Sequence, residues 1–181
     1  MQARRPPRDA SAHVAAACPV KLLSASPMRV ATPFRVEAEL VEPLATWLTD
    51  AGYRVDAEIP ILGRRADLVG AREGDLVAIE LKMRDWSAAL RQAIAYQLAA
   101  NSAWVAMPLA GASLAYRQRW RFEGEGVGLL AVDDHGNVRM PIPAGSSLRL
   151  LPFVRERVLK RAAQSTVSSL PQARSGESLA P

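Results

Sequence analysis

One cysteine, Cys18, and two histidines, His13 and His135, are all that this 181-residue sequence offers by way of thiol and imidazole. A single thiol excludes an internal disulfide framework, and so few soft ligands exclude a multi-cysteine zinc site or a histidine-rich metal centre. No apolar run approaches the roughly 18 residues of a membrane-spanning helix, so no membrane partner is expected. Nothing resembles a phosphate-binding loop, a dinucleotide fingerprint or a serine-nucleophile elbow, and no internal repeat is visible. Aromatic residues make up only 6%. What is present is an apolar fraction of 49% against 23% charged residues, enough for one ordinary domain with a sizeable core.

The formal net charge is +5, and its location matters more than its size. Arg4, Arg5, Arg8, Lys21 and Arg29 stand against Asp9, so most of the excess lies in the first thirty residues. These residues mix Arg, Pro, Ala and Ser without helical or strand period and read as a disordered basic leader, 1–30. Such an arm can hold phosphates weakly. Arg4-Arg5 lacks the apolar stretch of a twin-arginine signal, and Ala15-Ala16-Ala17-Cys18 only loosely resembles a lipoprotein cleavage site, so a cytoplasmic location is expected. Met28 is an alternative start. Residues 165–181 read as a loose tail, which leaves a single domain over 31–164.

Within that domain the apolar periods predict an α/β fold. A helical stripe runs through Val36, Leu40, Leu44, Trp47 and Leu48 and is stopped by Gly52; Pro43 either kinks that helix or marks its first turn. Strands are expected over 53–61, 65–71 and 76–83, a helix over 87–101 with Leu90, Ile94 and Leu98 on one face, and a short strand over 104–107. A helix over 112–122, a hairpin of 127–132 with 138–142, and a helix over 152–163 follow.

The chemistry-bearing pattern lies on the second and third strands. If their hairpin turns on Glu73-Gly74, Asp67 falls opposite Glu80, with Lys82 on the same face, while Ala66, Leu68, Val77, Ile79 and Leu81 form the other, apolar face. Two opposed carboxylates repel unless something offsets them, and a hard divalent cation bound by oxygen would do so. The backbone carbonyl of Leu81 could add a ligand. Lys82 beside such an ion could orient or deprotonate a water and steady developing phosphorane charge. The bland alternative is a surface ion pair, because an acid-x-lysine on a strand is common.

Asp67, followed after twelve intervening residues by Glu80-Leu81-Lys82, resembles the D…ExK signature of the restriction-endonuclease-like, or PD-(D/E)xK, nuclease superfamily. Gln92 and Tyr96 resemble the Q-x-x-x-Y motif of its RecB-type members. The stretch Glu37-Ala38-Glu39-Leu40, then Pro43, Trp47-Leu48 and Gly52 to Val55, is similar to bacterial PD-(D/E)xK phosphodiesterases. The resemblance covers about residues 34–108 and departs from the pattern where Ala66 replaces the proline before the first Asp. It implies an αβββαβ core with a C-terminal α-β-hairpin-α extension. It implies Mg²⁺ or Mn²⁺ held by Asp67, Glu80 and the Leu81 carbonyl, with a helix-one acid, Glu37 (Glu39 or Glu42 as fallbacks), and Lys82 at the nucleophile. Gln92, Tyr96, Arg64 and Arg65 would support the site or meet a phosphate. The implied function is metal-dependent phosphodiester hydrolysis of nucleic acid, DNA foremost, with pairing of two copies an option. The rival reading is a silent nuclease fold that binds nucleic acid or a partner protein.

Other candidates point to structure first. Asp133-Asp134-His135 could ligate a metal, but Gly136-Asn137 marks a polar hairpin turn. Arg117, Arg119 and Arg121 around Trp120 could bind phosphate and stack a base, although residues two apart do not share a helix face. Arg155, Arg157, Lys160 and Arg161 give a basic helix face. The four tryptophans read mostly as core.

Overall fold

Pro43 sits in the first turn of a helix, where its missing N–H leaves no intrahelical bond unmade. That helix, α1, spans Val41–Asp50 after a 3₁₀ turn over Glu37–Leu40, and it buries Leu40, Leu44 and Leu48. Gly52, at φ 83°, closes it in the left-handed region that glycine enters without strain. The computed structural model describes residues 33–168. The expected leader 1–30 lies outside them. The expected tail does so in part: helix α5, Pro152–Ser168, continues through its first residues instead of stopping near 163.

The architecture is α/β. Strands β1 (Arg54–Ile61), β2 (Arg64–Arg72) and β3 (Asp75–Leu81) form an antiparallel meander. Helix α2 (Trp86–Tyr96) then leads to β4 (Ser102–Pro108), parallel to β3. Helices α3 (Leu109–Tyr116) and α4 (Arg119–Glu125) precede β5 (Gly128–Val132), parallel to β4, and β6 (Val138–Ile142) returns antiparallel at the edge. The six strands lie in one mixed sheet in chain order, β1 to β6. One apolar cluster joins Leu40, Leu44 and Leu48 of the α1 region to Leu68, Val77, Ile79, Leu81 and Trp104; the other joins Val69, Leu76 and Ala78 to α2, α4 and α5 through Ala89, Ala93, Phe122, Val154 and Val158. Both faces of β3 are therefore buried, which is why Leu76–Leu81 reads as an almost unbroken apolar run.

Four expectations shift. The helix expected over 112–122 is two helices; the break at Arg117-Gln118 re-aims Phe122 onto Trp86, ring centroids 6.1 Å apart. Helix α2 stops at Tyr96 rather than near 101, because Gln97 turns inward to donate to the Glu125 carbonyl and Asn101 exchanges bonds with Leu76 at 2.7 and 2.9 Å. The face α2 buries deepest is Ala89, Ala93 and Tyr96 with Leu90, not the stripe through Ile94 and Leu98, which are only half-buried; small alanines let the helix approach the sheet closely. Ala66 packs with Ile59, Ile61 and Val69, not with Leu68 as strict alternation requires. The alternation breaks opposite Asp67, where Glu58 takes φ 58° inside β1.

The Glu73-Gly74 turn forms as expected, with Gly74 at φ 77° and Arg72 paired to Asp75. Among the described residues no helix is long and apolar enough to cross a membrane.

Candidate active site at the end of β3

The β2–β3 register pairs Leu68 with Ile79, Val69 with Ala78 and Gly70 with Val77. Continued by one step it sets Asp67 opposite Glu80, the placement that the two-residue turn requires. The backbone ladder ends at Leu68–Ile79, and a side chain carries on from it: Asp67 Oδ2 accepts from the Leu81 N–H at 2.7 Å. Asp67 and Glu80 thus share the face covered by α2, at the end of β3 where the chain leaves the sheet.

Glu80 is 2% exposed. Burial pushes its carboxyl up to about 7, the charges of Asp67 and Glu37 add to this, and the Tyr96 bond and the Lys82 charge oppose it. Burial likewise raises Asp67; the Leu81 N–H and Lys82 pull it down, while Glu58 and Glu37 push it up. Tyr96, fully buried, has its hydroxyl pushed up by burial first and then by Glu80.

The Tyr96 hydroxyl lies 2.7 Å from the Arg65 carbonyl oxygen and 2.6 Å from Glu80 Oε2. It carries one hydrogen, and the carbonyl can only accept. With Glu80 ionised, Tyr96 can satisfy one acceptor and not both. With Glu80 protonated, Glu80 donates to Tyr96 and Tyr96 donates to Arg65, so every group is bonded. The geometry and the raised carboxyl agree in direction: both favour the protonated form of Glu80.

Lys82 lies just beyond β3, its N–H donating to the Ala106 carbonyl at 3.0 Å. Its ammonium pairs with Glu37, 3.3 Å from Oε1, and Glu37 Oε1 also accepts from the Met83 N–H at 3.4 Å. The alternative, a surface ion pair of Asp67, Glu80 and Lys82, is not found among the described residues; Lys82 takes its acid from the start of helix one. Of the three helix-one candidates only Glu37 reaches the cluster. Glu39 accepts from the Arg35 and Val36 N–H groups and caps the 3₁₀ turn, and Glu42 is exposed on α1.

The supporting residues divide. Tyr96 joins the cluster, as does the Arg65 main chain, but the Arg65 side chain turns to Glu58 at 3.2 Å, both exposed. Arg64 is exposed at the β1–β2 turn, and Gln92 is half-exposed with no side-chain hydrogen bond among the described residues. Glu58 was not anticipated. The Leu62-Gly63 turn pairs Ala57 with Leu68 and Ile59 with Ala66, so Glu58 faces Asp67; the register of the first hairpin would have found it.

Each carboxylate keeps one oxygen, Asp67 Oδ1 and Glu80 Oε1, without a donor from the described residues. Two acids, two open oxygens and an adjoining main chain are chemistry for a hard cation whose remaining ligands are water. Among the described residues no three His, Cys, Asp or Glu side chains converge closely enough to hold a metal by themselves. Glu37 is engaged by Lys82 instead of joining the pair.

Elsewhere, Asp133 forms the polar turn: its Oδ1 accepts from the His135 and Asn137 N–H groups, both at 3.0 Å. The α5 basic face is partly occupied, Arg155 donating to the Gly74 carbonyl and Lys160 pairing with Glu156 at 2.7 Å. Trp120 is 66% exposed and is not core. A groove of about 430 Å³ opens between α3 and β6, lined by Leu109, Tyr116, Met140 and Pro141 among others. Its polar lining is Ser113, Tyr116 and Arg139, with no carboxylate.

Comparison of the chain with protein-family models, curated proteins and solved structures gives no match.

Proposed function

We propose that the chain is a metal-dependent phosphodiesterase acting on nucleic acid, DNA foremost, built on a PD-(D/E)xK-type αβββαβ core. The observation that carries this reading is the Asp67–Glu80 pair: adjacent, desolvated, each with one oxygen open, and followed at once by a lysine. Asp67, Glu80 and the Leu81 carbonyl would hold Mg²⁺ or Mn²⁺. The ion would supply positive charge to the carboxylates, polarise a phosphate and lower the pKa of a water. Asp67, already tied to the Leu81 N–H, is held in one rotamer. Glu80 gives up its proton on binding, and Tyr96 then turns its hydrogen from Arg65 to Glu80. Lys82, kept at the rim by Glu37, orients the attacking water and steadies the charge gathering on phosphorus. Arg64 at the neighbouring turn is placed to meet a phosphate. A cytoplasmic location belongs to the same reading.

One observation favours a second reading. The acids number two at the centre, Tyr96 occupies a Glu80 oxygen and Glu37 occupies Lys82. A fold that binds nucleic acid or a partner protein without cutting would tolerate this arrangement.

Cleavage of single-stranded, duplex and branched substrates in Mg²⁺ and Mn²⁺, wild type beside Lys82→Ala, separates the two. The first reading expects cutting by the wild type and a loss of about a hundredfold or more in the variant, with metal affinity retained. A wild type that cuts no substrate supports the second; a Lys82→Ala protein that cuts as fast as wild type overturns the role given to Lys82.

A further inference from the structure

Beyond the carboxylate cluster, an aromatic and arginine stack runs over α4 and the start of α2. The Arg121 guanidinium lies 5.4 Å from the Trp86 ring centroid and 5.7 Å from that of Trp120. Arg119 lies 5.7 Å from the Tyr116 ring. Trp86 is half-buried and fixed against Phe122, which anchors the inner end of the stack. Trp120 at the outer end is 66% exposed. Neither Arg119 nor Arg121 makes an ion pair among the described residues, although seven such pairs form elsewhere in them.

A tryptophan this exposed has no folding role that explains it, and the Arg121 guanidinium, within cation–π distance of both indoles, has no carboxylate partner among the described residues and so keeps N–H donors to offer. Those donors are shaped for phosphate oxygens. The open face of Trp120 suits a nucleobase, and only an unstacked base presents its own face to a ring. Trp86 opens α2, the helix that also brings Tyr96 to Glu80, so one helix touches the stack at its start and the carboxylate cluster at its end.

We propose that Trp86, Arg121 and Trp120 form a platform for single-stranded DNA, with an unpaired base on Trp120 and its flanking phosphates on Arg119 and Arg121. This rests on the nuclease reading and narrows its substrate to DNA with an unpaired segment, such as an overhang or a branch.

The test measures binding of fluorescein-labelled oligothymidylate, oligouridylate and a blunt duplex to the full chain by anisotropy in Ca²⁺, and self-association by sedimentation, for wild type, Trp120→Ala and Trp120→Tyr. Because the ring is exposed, melting should not change. Trp120→Ala should weaken single-strand binding about fivefold or more, change duplex binding less than about twofold, and be largely rescued by Trp120→Tyr. Single-strand affinity unchanged in Trp120→Ala, or lost equally for both DNAs, overturns the platform. So does binding confined to oligouridylate, or an effect of the substitution only on self-association. Cleavage by the same proteins in Mg²⁺ reads the other question: a platform that binds in a chain that never cuts removes the nuclease reading alone, and cutting with no Trp120 dependence of binding removes the platform alone.

Discussion

Replacing Glu80 with Gln should raise stability at alkaline pH and remove much of the pH dependence of folding. A carboxyl that is 2% exposed and titrates at about 7 instead of 4.5 binds its proton more tightly in the folded chain than in the unfolded one. Below 4.5 both states hold the proton and the group is neutral in stability. As pH rises, the unfolded chain ionises first, and the folded state loses ground until about 7. At about 1.4 kcal/mol per pH unit, the loss amounts to about 3 kcal/mol. For a chain of this size that is a fall of roughly 6–12 °C in melting temperature. Asp67 titrates with Glu80 and adds to the same trend, so the measured slope belongs to the pair. Gln keeps the shape, stays neutral and can still bond Tyr96. Urea unfolding from about pH 5 to pH 8 should therefore show the wild type falling and Glu80→Gln falling much less, the two profiles diverging as the medium becomes alkaline. Mg²⁺ at about 100 times its dissociation constant should restore about 2.7 kcal/mol to the wild type, more effectively at high pH, and nothing to the variant. Parallel pH profiles for the two proteins would refute the claim that burial at the end of β3 holds this proton.

Tyr96→Phe should destabilise the chain by about 1–3 kcal/mol, because the Arg65 carbonyl and Glu80 both lose a buried partner; chemical denaturation at neutral pH reads it. Gly128→Ala should destabilise by roughly 1–3 kcal/mol or more, since its new Cβ would meet Trp104 ring carbons at 2.2 and 2.4 Å and the Ala144 nitrogen at 2.8 Å. Gly124→Ala, where nothing lies within 4 Å, is its control in the same melting experiment.

Local order was legible because it rests on local physics. Gly74 at a two-residue turn fixes one register, and that register carries Asp67 to Glu80 without any knowledge of the remaining chain. Gly52 ends α1, and the apolar periods mark every strand of the sheet to within a few residues. The sequence by itself also placed Lys82 beyond the acid pair, because side chains alternate along a strand. What it did not contain is which neighbours arrive from far away. Glu37 reaches Lys82 across forty-five positions because helix one packs on one sheet face and delivers its first turn to the end of β3. Tyr96 is a core residue and a partner of Glu80 because alanines at 89 and 93 seat α2 close to the sheet, and no helical wheel shows which face will be the close one. The same limit hid the exposure of Trp120, which depends on where α3 breaks from α4, whereas Glu58 was within reach of the first hairpin's register and only its left-handed backbone was not. Spacing determines which residues can share a strand face; only the packing of helices on the sheet decides which of those faces is dry, and dryness is what raises both carboxyls, that of Glu80 to about 7.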